Sequence, residues 1–351
     1  MTKQTPGDSF FGSGTIEEIG SIKLEAGKTY DVHIEFGSLP TKTYAREGTT
    51  AFGAGGIRVG CYRKLSMADE RRKAVDLAKS VEQVILCIGL NSDWESEGYD
   101  RTHMDLPPGT DELVTAVLEE NPNTVIVNQS GTPVTMPWSA SAHTLLQAWY
   151  GGNETGNAIA DIVFGDCNPS GKLPLTFPHR NEDNPTFLNF SSDDNRTLYG
   201  EDVYVGYRWY DKTKKEVLFP FGYGLSYTTF SLSNLDIKTQ DDDITVTIDV
   251  ANTGRVDGAE VVQVYFSPLA PSIARPVKEL KGFAKVEVKA GQSGKAEVKV
   301  SKKYATSFWH EGRDAWVCEK GSYRVLVGTS SQVLPLEGEV LNEEEVVWKG
   351  V

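Results

Sequence analysis

Gln83-Val84-Ile85-Leu86-Cys87-Ile88-Gly89-Leu90 is the stretch from which the fold can be read. It is a short continuous apolar run, the signature of a strand buried on both faces. Upstream, Ala68-Asp69-Glu70-Arg71-Arg72-Lys73-Ala74-Val75-Asp76-Leu77-Ala78 has the period of a charged amphipathic helix. Downstream, a helix is expected over about 110–119, capped by Thr110 with Asp111 and Glu112 in its first turn. Strands over 124–128 and 145–150 follow. After Gly151-Gly152-Asn153-Glu154-Thr155, a further helix runs to about Phe164. Strands alternating with helices indicate a parallel sheet covered on both faces. Only about three such units are present, which is few for a sheet of this kind.

Directly after the apolar run comes Trp94-Glu95-Ser96-Glu97-Gly98-Tyr99-Asp100-Arg101. Open α/β sheets place their chemistry beyond the carboxyl ends of strands, and this turn occupies such a place. Four ionisable residues within eight, flanked by two aromatics, suit a site that handles protons and a polyhydroxylated ligand.

The flanking sequence differs on each side. Residues 15–22, 29–36 and 56–62 read as strands separated by Gly-rich turns, too few for a stable β-domain by themselves. Residues 166–229 are dense in Pro, Gly, Asn and aromatics, which suits a connector packed on a neighbour. From Phe230 onward short strands recur, over 244–250, 260–266, 283–288, 295–300, 316–318 and 323–328, the pattern of a β-sandwich.

At 351 residues the chain has length for two or three domains with real cores. A formal net charge of −14 argues against nucleic acid or an anionic membrane as partner. The four cysteines, Cys61, Cys87, Cys167 and Cys318, show no CxxC spacing and read as reduced and mostly packed, without a metal. The five histidines lack ligand spacing, so neither a metal nor another cofactor is expected. No apolar run approaches the ~20 residues needed to span a bilayer. The opening Met1-Thr2-Lys3-Gln4-Thr5-Pro6 carries no apolar leader, and a cytoplasmic location is expected. Sequons begin at Asn128, Asn153, Asn189 and Asn195; Asn128 falls at a strand end where a glycan would not fit.

Several segments, in order, resemble glycoside hydrolase family 3 of the β-glucosidase type. Ser96-Glu97-Gly98-Tyr99-Asp100-Arg101 is similar to the family's acid/base segment. Gly152-Asn153-Glu154-Thr155-Gly156-Asn157-Ala158 and Asn168-Pro169-Ser170-Gly171-Lys172-Leu173-Pro174 resemble the next part of its second domain. Tyr207-Arg208-Trp209-Tyr210-Asp211 and Phe219-Pro220-Phe221-Gly222-Tyr223-Gly224-Leu225-Ser226-Tyr227 resemble the lead-in to its fibronectin type III-like sandwich.

The fold class implied is α/β plus all-β. A partial α/β sandwich with a mostly parallel sheet over 63–180 and a connector over 181–229 lead to a fibronectin type III-like β-sandwich over 230–351. Residues 1–62 resemble a β-rich remnant of a protective-antigen-like insert. The resemblance further implies a retaining mechanism with two carboxylates. Glu97 matches the acid/base glutamate, while no residue here matches the nucleophile, which the family carries on an N-terminal (β/α)8 barrel. Glu97 needs a proton at working pH, so partial desolvation or a neighbouring negative charge is expected there. Glu95 or Asp100 can supply the charge, and Trp94 or Tyr99 the apolar wall.

Trp94, Tyr99, Arg101 and Phe52 are the candidate sugar-binding residues, with Arg101 alternatively pairing with a carboxylate to orient the loop. Glu95 and Asp100 read as structural turn residues, and His103 as a loop cap. The function expected is the acid/base-bearing part of a β-glucosidase, inactive without the barrel. A β-glucoside or other small glycoside is the expected ligand, and a separate barrel subunit or self-association the expected partner. The beginning at mid-domain sequence reads as a truncated product, a separately encoded subunit or a fragment. The alternatives are a non-catalytic carbohydrate-binding or interaction protein, or reuse of the site for acid-base chemistry on another small molecule.

Overall fold

The computed structural model describes residues 17–36, 57, 59–97 and 100–350. The chain divides into two compact units, Met1–Thr132 with Pro137–Tyr150, and Pro133–Met136 with Gly151–Val351.

In the first unit, helix α1 (Met67–Lys79) starts at Ser66, whose Oγ accepts the Asp69 N–H at 3.3 Å. Asp69 and Glu70 in its first turn and Lys79 in its last complement the helix dipole. Strand β1 (Val84–Gly89), helix α2 (Thr110–Glu120), strand β2 (Thr124–Gln129) and strand β3 (Thr144–Gln147) follow. The strands form one parallel sheet in the order β1-β2-β3, with Val84 opposite Thr124 and Val125 opposite Thr144. The central strand is sealed at Ile126 and Val127, while α2 buries Val114, Val117 and Leu118 and packs beside α1.

Two expectations are corrected here. Thr110 does not cap α2; it is the first helical residue, and Gly109, at φ +86°, precedes it without a side-chain cap. A hydroxyl at the right letter cannot cap when the turn that introduces it places it one residue inside the helix. The strands expected over 15–22, 29–36 and 56–62 are not formed in their described parts, where Ile19, Val32 and Tyr62 are exposed. Alternation gives a segment two faces, but a strand also needs a ladder partner for its backbone groups.

The second unit opens with helix α3 (Thr155–Phe164), closed by Gly165 at φ +85°. Strands β4 (Ser192–Asp193) and β5 (Arg196–Thr197) make a small hairpin, and helix α4 (Tyr207–Thr213) follows. Aromatic residues of the connector pack as their density implies. The Tyr207 ring stacks on Phe221 at 4.9 Å and meets the edge of Tyr265 at 5.9 Å. Lys278 Nζ lies 2.5 Å from Asp211, tying α4 to the sandwich.

The sandwich comprises β6 (Phe230–Gln240), β7 (Asp243–Asn252), β8 (Gly258–Pro268), β9 (Glu279–Val288) and β10 (Ser293–Ser301). After helix α5 (Lys302–Thr306) come β11 (Ser307–His310), β12 (Ala315–Cys318), β13 (Gly321–Gly328), β14 (Leu336–Asn342) and β15 (Val346–Trp348). The strands order as β10-β7-β6 and β14-β13-β8-β9, with β11-β12-β15 as a third sheet. The inward rows of the first two, including Ile248, Val264, Phe266 and Val325, form one core.

Candidate acid/base turn

The site is built at the carboxyl ends of the three parallel strands. β1 ends at Gly89, whose φ of +149° brings its α-carbon so close to β2 that a side chain would strike the Gln129 carbonyl. The Leu90 N–H then donates to Gln129 O at 2.8 Å. Asn91 starts the turn: its carbonyl accepts the N–H groups of Trp94 and Glu95, both at 2.9 Å, and its Oδ1 accepts that of Asp93 at 2.9 Å. These bonds curl the chain so that Glu95 points back toward the sheet while Glu97 stands exposed.

Glu95 is only 12% exposed, and its carboxylate is filled by donors from two other loops. Oε2 accepts the Gly131 N–H at 2.8 Å and the Tyr150 hydroxyl at 2.5 Å. Oε1 accepts the Thr132 hydroxyl and lies 3.7 Å from Arg101 Nη1. Burial on its own would raise this carboxyl, but the bonds from Thr132, Tyr150 and Gly131 and the charge of Arg101 outweigh it and hold the group below its ordinary value. Glu95 is therefore an ionised anchor.

Burial and the adjoining carboxylate push the Tyr150 hydroxyl up to about 12, so it remains a donor. Gly131 fits because a β-carbon there would lie 3.1 Å from the Tyr150 ring and 3.3 Å from Glu95 Oε2. Behind these donors, Asn128, Ser130 and Gln147 form a polar network. Asn128 Nδ2 donates to Gln147 Oε1 at 2.7 Å, and Ser130 Oγ donates to the Thr132 carbonyl at 2.8 Å. Asn128 is fully buried, as its sequence position implied for that sequon.

Arg101 closes the far end of the turn. It donates to Thr132 Oγ1 at 3.1 Å and to the Asp105 carbonyl at 3.0 Å, and is 14% exposed. Burial draws its guanidinium down, opposed by Glu95; it stays charged. The pairing with a carboxylate read as one of its two roles is present. His103 Nδ1 accepts the Asp105 N–H at 3.2 Å, the loop-capping arrangement, and its ring meets Trp94 edge-on at 6.2 Å. Trp94 borders an open cleft of about 390 Å³ at the end of β1, lined also by Cys87, Asn91, Thr110 and Gln129. Glu97, two residues after Glu95 in the same turn, is exposed. Tyr99 and Phe52 lie outside the described residues.

Gly131, Thr132 and Tyr150 were not picked out as functional from the sequence. Ser130-Gly131-Thr132 follows β2, as the turn at Trp94 follows β1, and Tyr150 lies just after β3, which ends at Gln147 rather than at the expected residue 150. Their positions at successive strand ends of one parallel sheet are the signal that places them together.

Residues 11–227 match the Glycosyl hydrolase family 3 C-terminal domain. The chain belongs to this family. Residues 260–331 match a fibronectin type III-like domain. A probable β-glucosidase I of Aspergillus fumigatus is 52% identical over 357 residues, covering 99% of this chain and 42% of the relative. Among solved structures, the β-glucosidase of Kluyveromyces marxianus in complex with glucose has a TM-score of 0.81 at 52% identity. That likeness covers 83% of this chain and 35% of the other. The family 3 β-glucosidase of Bifidobacterium adolescentis has a TM-score of 0.75 at 41% identity, covering 78% and 41%. The chain thus spans about 42% of the length of the curated relatives it matches.

Proposed function

We propose that this family 3 chain supplies the general acid/base of a retaining β-glucosidase, and that Glu97 is that residue. The observation that carries the reading is the contrast between the two glutamates of the turn. Glu95 is ionised and saturated by protein donors, whereas Glu97 is exposed at the carboxyl end of the parallel sheet. Likeness to β-glucosidases over 99% of the chain supports a β-glucoside as substrate.

The reaction runs in two displacements. A nucleophilic carboxylate from outside these 351 residues attacks the anomeric carbon. The bond to the leaving oxygen breaks as Glu97 donates its proton to that oxygen. Glu97, now a carboxylate, takes a proton from water; the water oxygen attacks the anomeric carbon and the glycosyl ester breaks. Covering of the turn by the nucleophile-bearing part would supply the desolvation that keeps Glu97 protonated at the start. Trp94 would offer a ring face to the sugar, and Arg101 would orient the turn.

Hydrolysis of an aryl β-glucoside tests this, with the chain alone and after addition of a separately expressed family barrel. Phenol released from phenyl β-glucoside, a poor leaving group, only by the mixture and lost with Glu97→Ala is the expected result. No hydrolysis by the mixture of well-folded components would overturn the reading in favour of a binding or repurposed protein.

A further inference from the structure

We infer that Glu95 is a positioning residue for Glu97: its fixed carboxylate pins the acid/base turn to the loops that follow β2 and β3. The inference rests on the assignment of Glu97 above.

The pinning is over-determined for a turn at the surface. Three segments meet at one carboxylate: Gly131 and Thr132 after β2, Tyr150 after β3, and Arg101 at the far end of the turn itself. Arg101 donates to Thr132, and Thr132 in turn donates to Glu95, so both ends of the turn hang on one chain of bonds. The backbone beside Tyr150 bears a cost for this arrangement. Trp149 has φ +56°, a conformation that strains a bulky residue by about 1–3 kcal/mol. Such strain persists only where surrounding contacts demand it, and here it sits next to the hydroxyl that reaches Glu95.

A carboxylate is the group that fits. It accepts at both oxygens and carries the charge that Arg101 faces. Glutamine would turn an N–H toward one pair of donors and remove that charge, leaving the Arg101 guanidinium in a half-buried site without its partner. The turn would then be free to shift, and Glu97 two residues on would move with it. Proton transfer falls steeply with misplacement, about 100-fold for roughly 1 Å. The loss must therefore appear where the leaving group needs a proton and vanish where it does not.

The test compares phenyl β-glucoside, a poor leaving group, with 2,4-dinitrophenyl β-glucoside, which departs without protonation. The chain completed by the family barrel is assayed as wild type, Glu97→Ala, Glu95→Gln and Tyr150→Phe. Thermal unfolding checks that each variant is folded. Glu95→Gln is expected to lower kcat/KM on the phenyl glucoside about 100-fold, and on the dinitrophenyl glucoside less than about threefold. Tyr150→Phe, which deletes one hydroxyl, shows the same selectivity in smaller measure and stands in should Glu95→Gln misfold. An equal loss on both substrates, or none, while Glu97→Ala is selective, overturns the positioning role and leaves Glu97 in place. A non-selective Glu97→Ala overturns the assignment of Glu97 and this inference with it.

Discussion

In β7 of the sandwich Ile244, Val246, Ile248 and Val250 are all 0% exposed, each facing a second sheet. In β1 of the parallel sheet Ile85 is 44% exposed, although its neighbours in sequence are just as apolar. One region is held by sealed apolar layers, each such side chain contributing about 1.5–3 kcal/mol. The other carries the turn of Glu95 and Glu97 at the end of an edge strand. There, polar bonds to Glu95 and Arg101 do the holding that burial does elsewhere.

Several substitutions sharpen or break that comparison. Ile248→Ala leaves a hole in a core without access to water and is expected to cost about 2–5 kcal/mol, read as a lower denaturation midpoint. Tyr150→Phe removes one hydrogen bond to a charged acceptor at a half-exposed site and is expected to cost about 1 kcal/mol. Hydrogen exchange should show faster opening of amides in the first unit and no change in the sandwich. An equal response in both would break the distinction.

The third test uses acid. Glu95 is lowered from its ordinary value of 4.5, so the folded state holds its proton less tightly than the unfolded chain does. Its contribution to stability is present above pH 4.5 and lost as pH falls through the lowered folded value. The wild type should lose this increment over that window, and Glu95→Gln should not. The smallest effect belongs to Ile85→Thr, expected to change stability by less than about 1 kcal/mol because the side chain is already partly in water. A loss as large as that of Ile248→Ala would show that β1 is sealed after all.

Much of the fold was legible because period and burial coincide. The strand expected over 244–250 lies within β7, and the apolar run at Val84 forms β1, ending one residue short of Leu90. The N-terminal strands were not legible, because alternation in residues 29–36 says nothing of whether a partner is present. In the site, Glu95 with Arg101 could be read from one turn, since both partners lie within eight residues. Thr132 and Tyr150 could not, as they come to Glu95 across 37 and 55 residues through the order of the sheet.

The central claim is that Glu97, not Glu95, handles the proton. Its most direct test is azide rescue of Glu97→Ala in the barrel-completed enzyme with an activated aryl β-glucoside. Azide needs no general base to attack the glycosyl ester, so restored turnover with β-glucosyl azide as product is expected for Glu97→Ala. No such rescue is expected for Glu95→Gln. Rescue of the Glu95 variant, with Glu97→Ala unaffected by azide, would contradict the account.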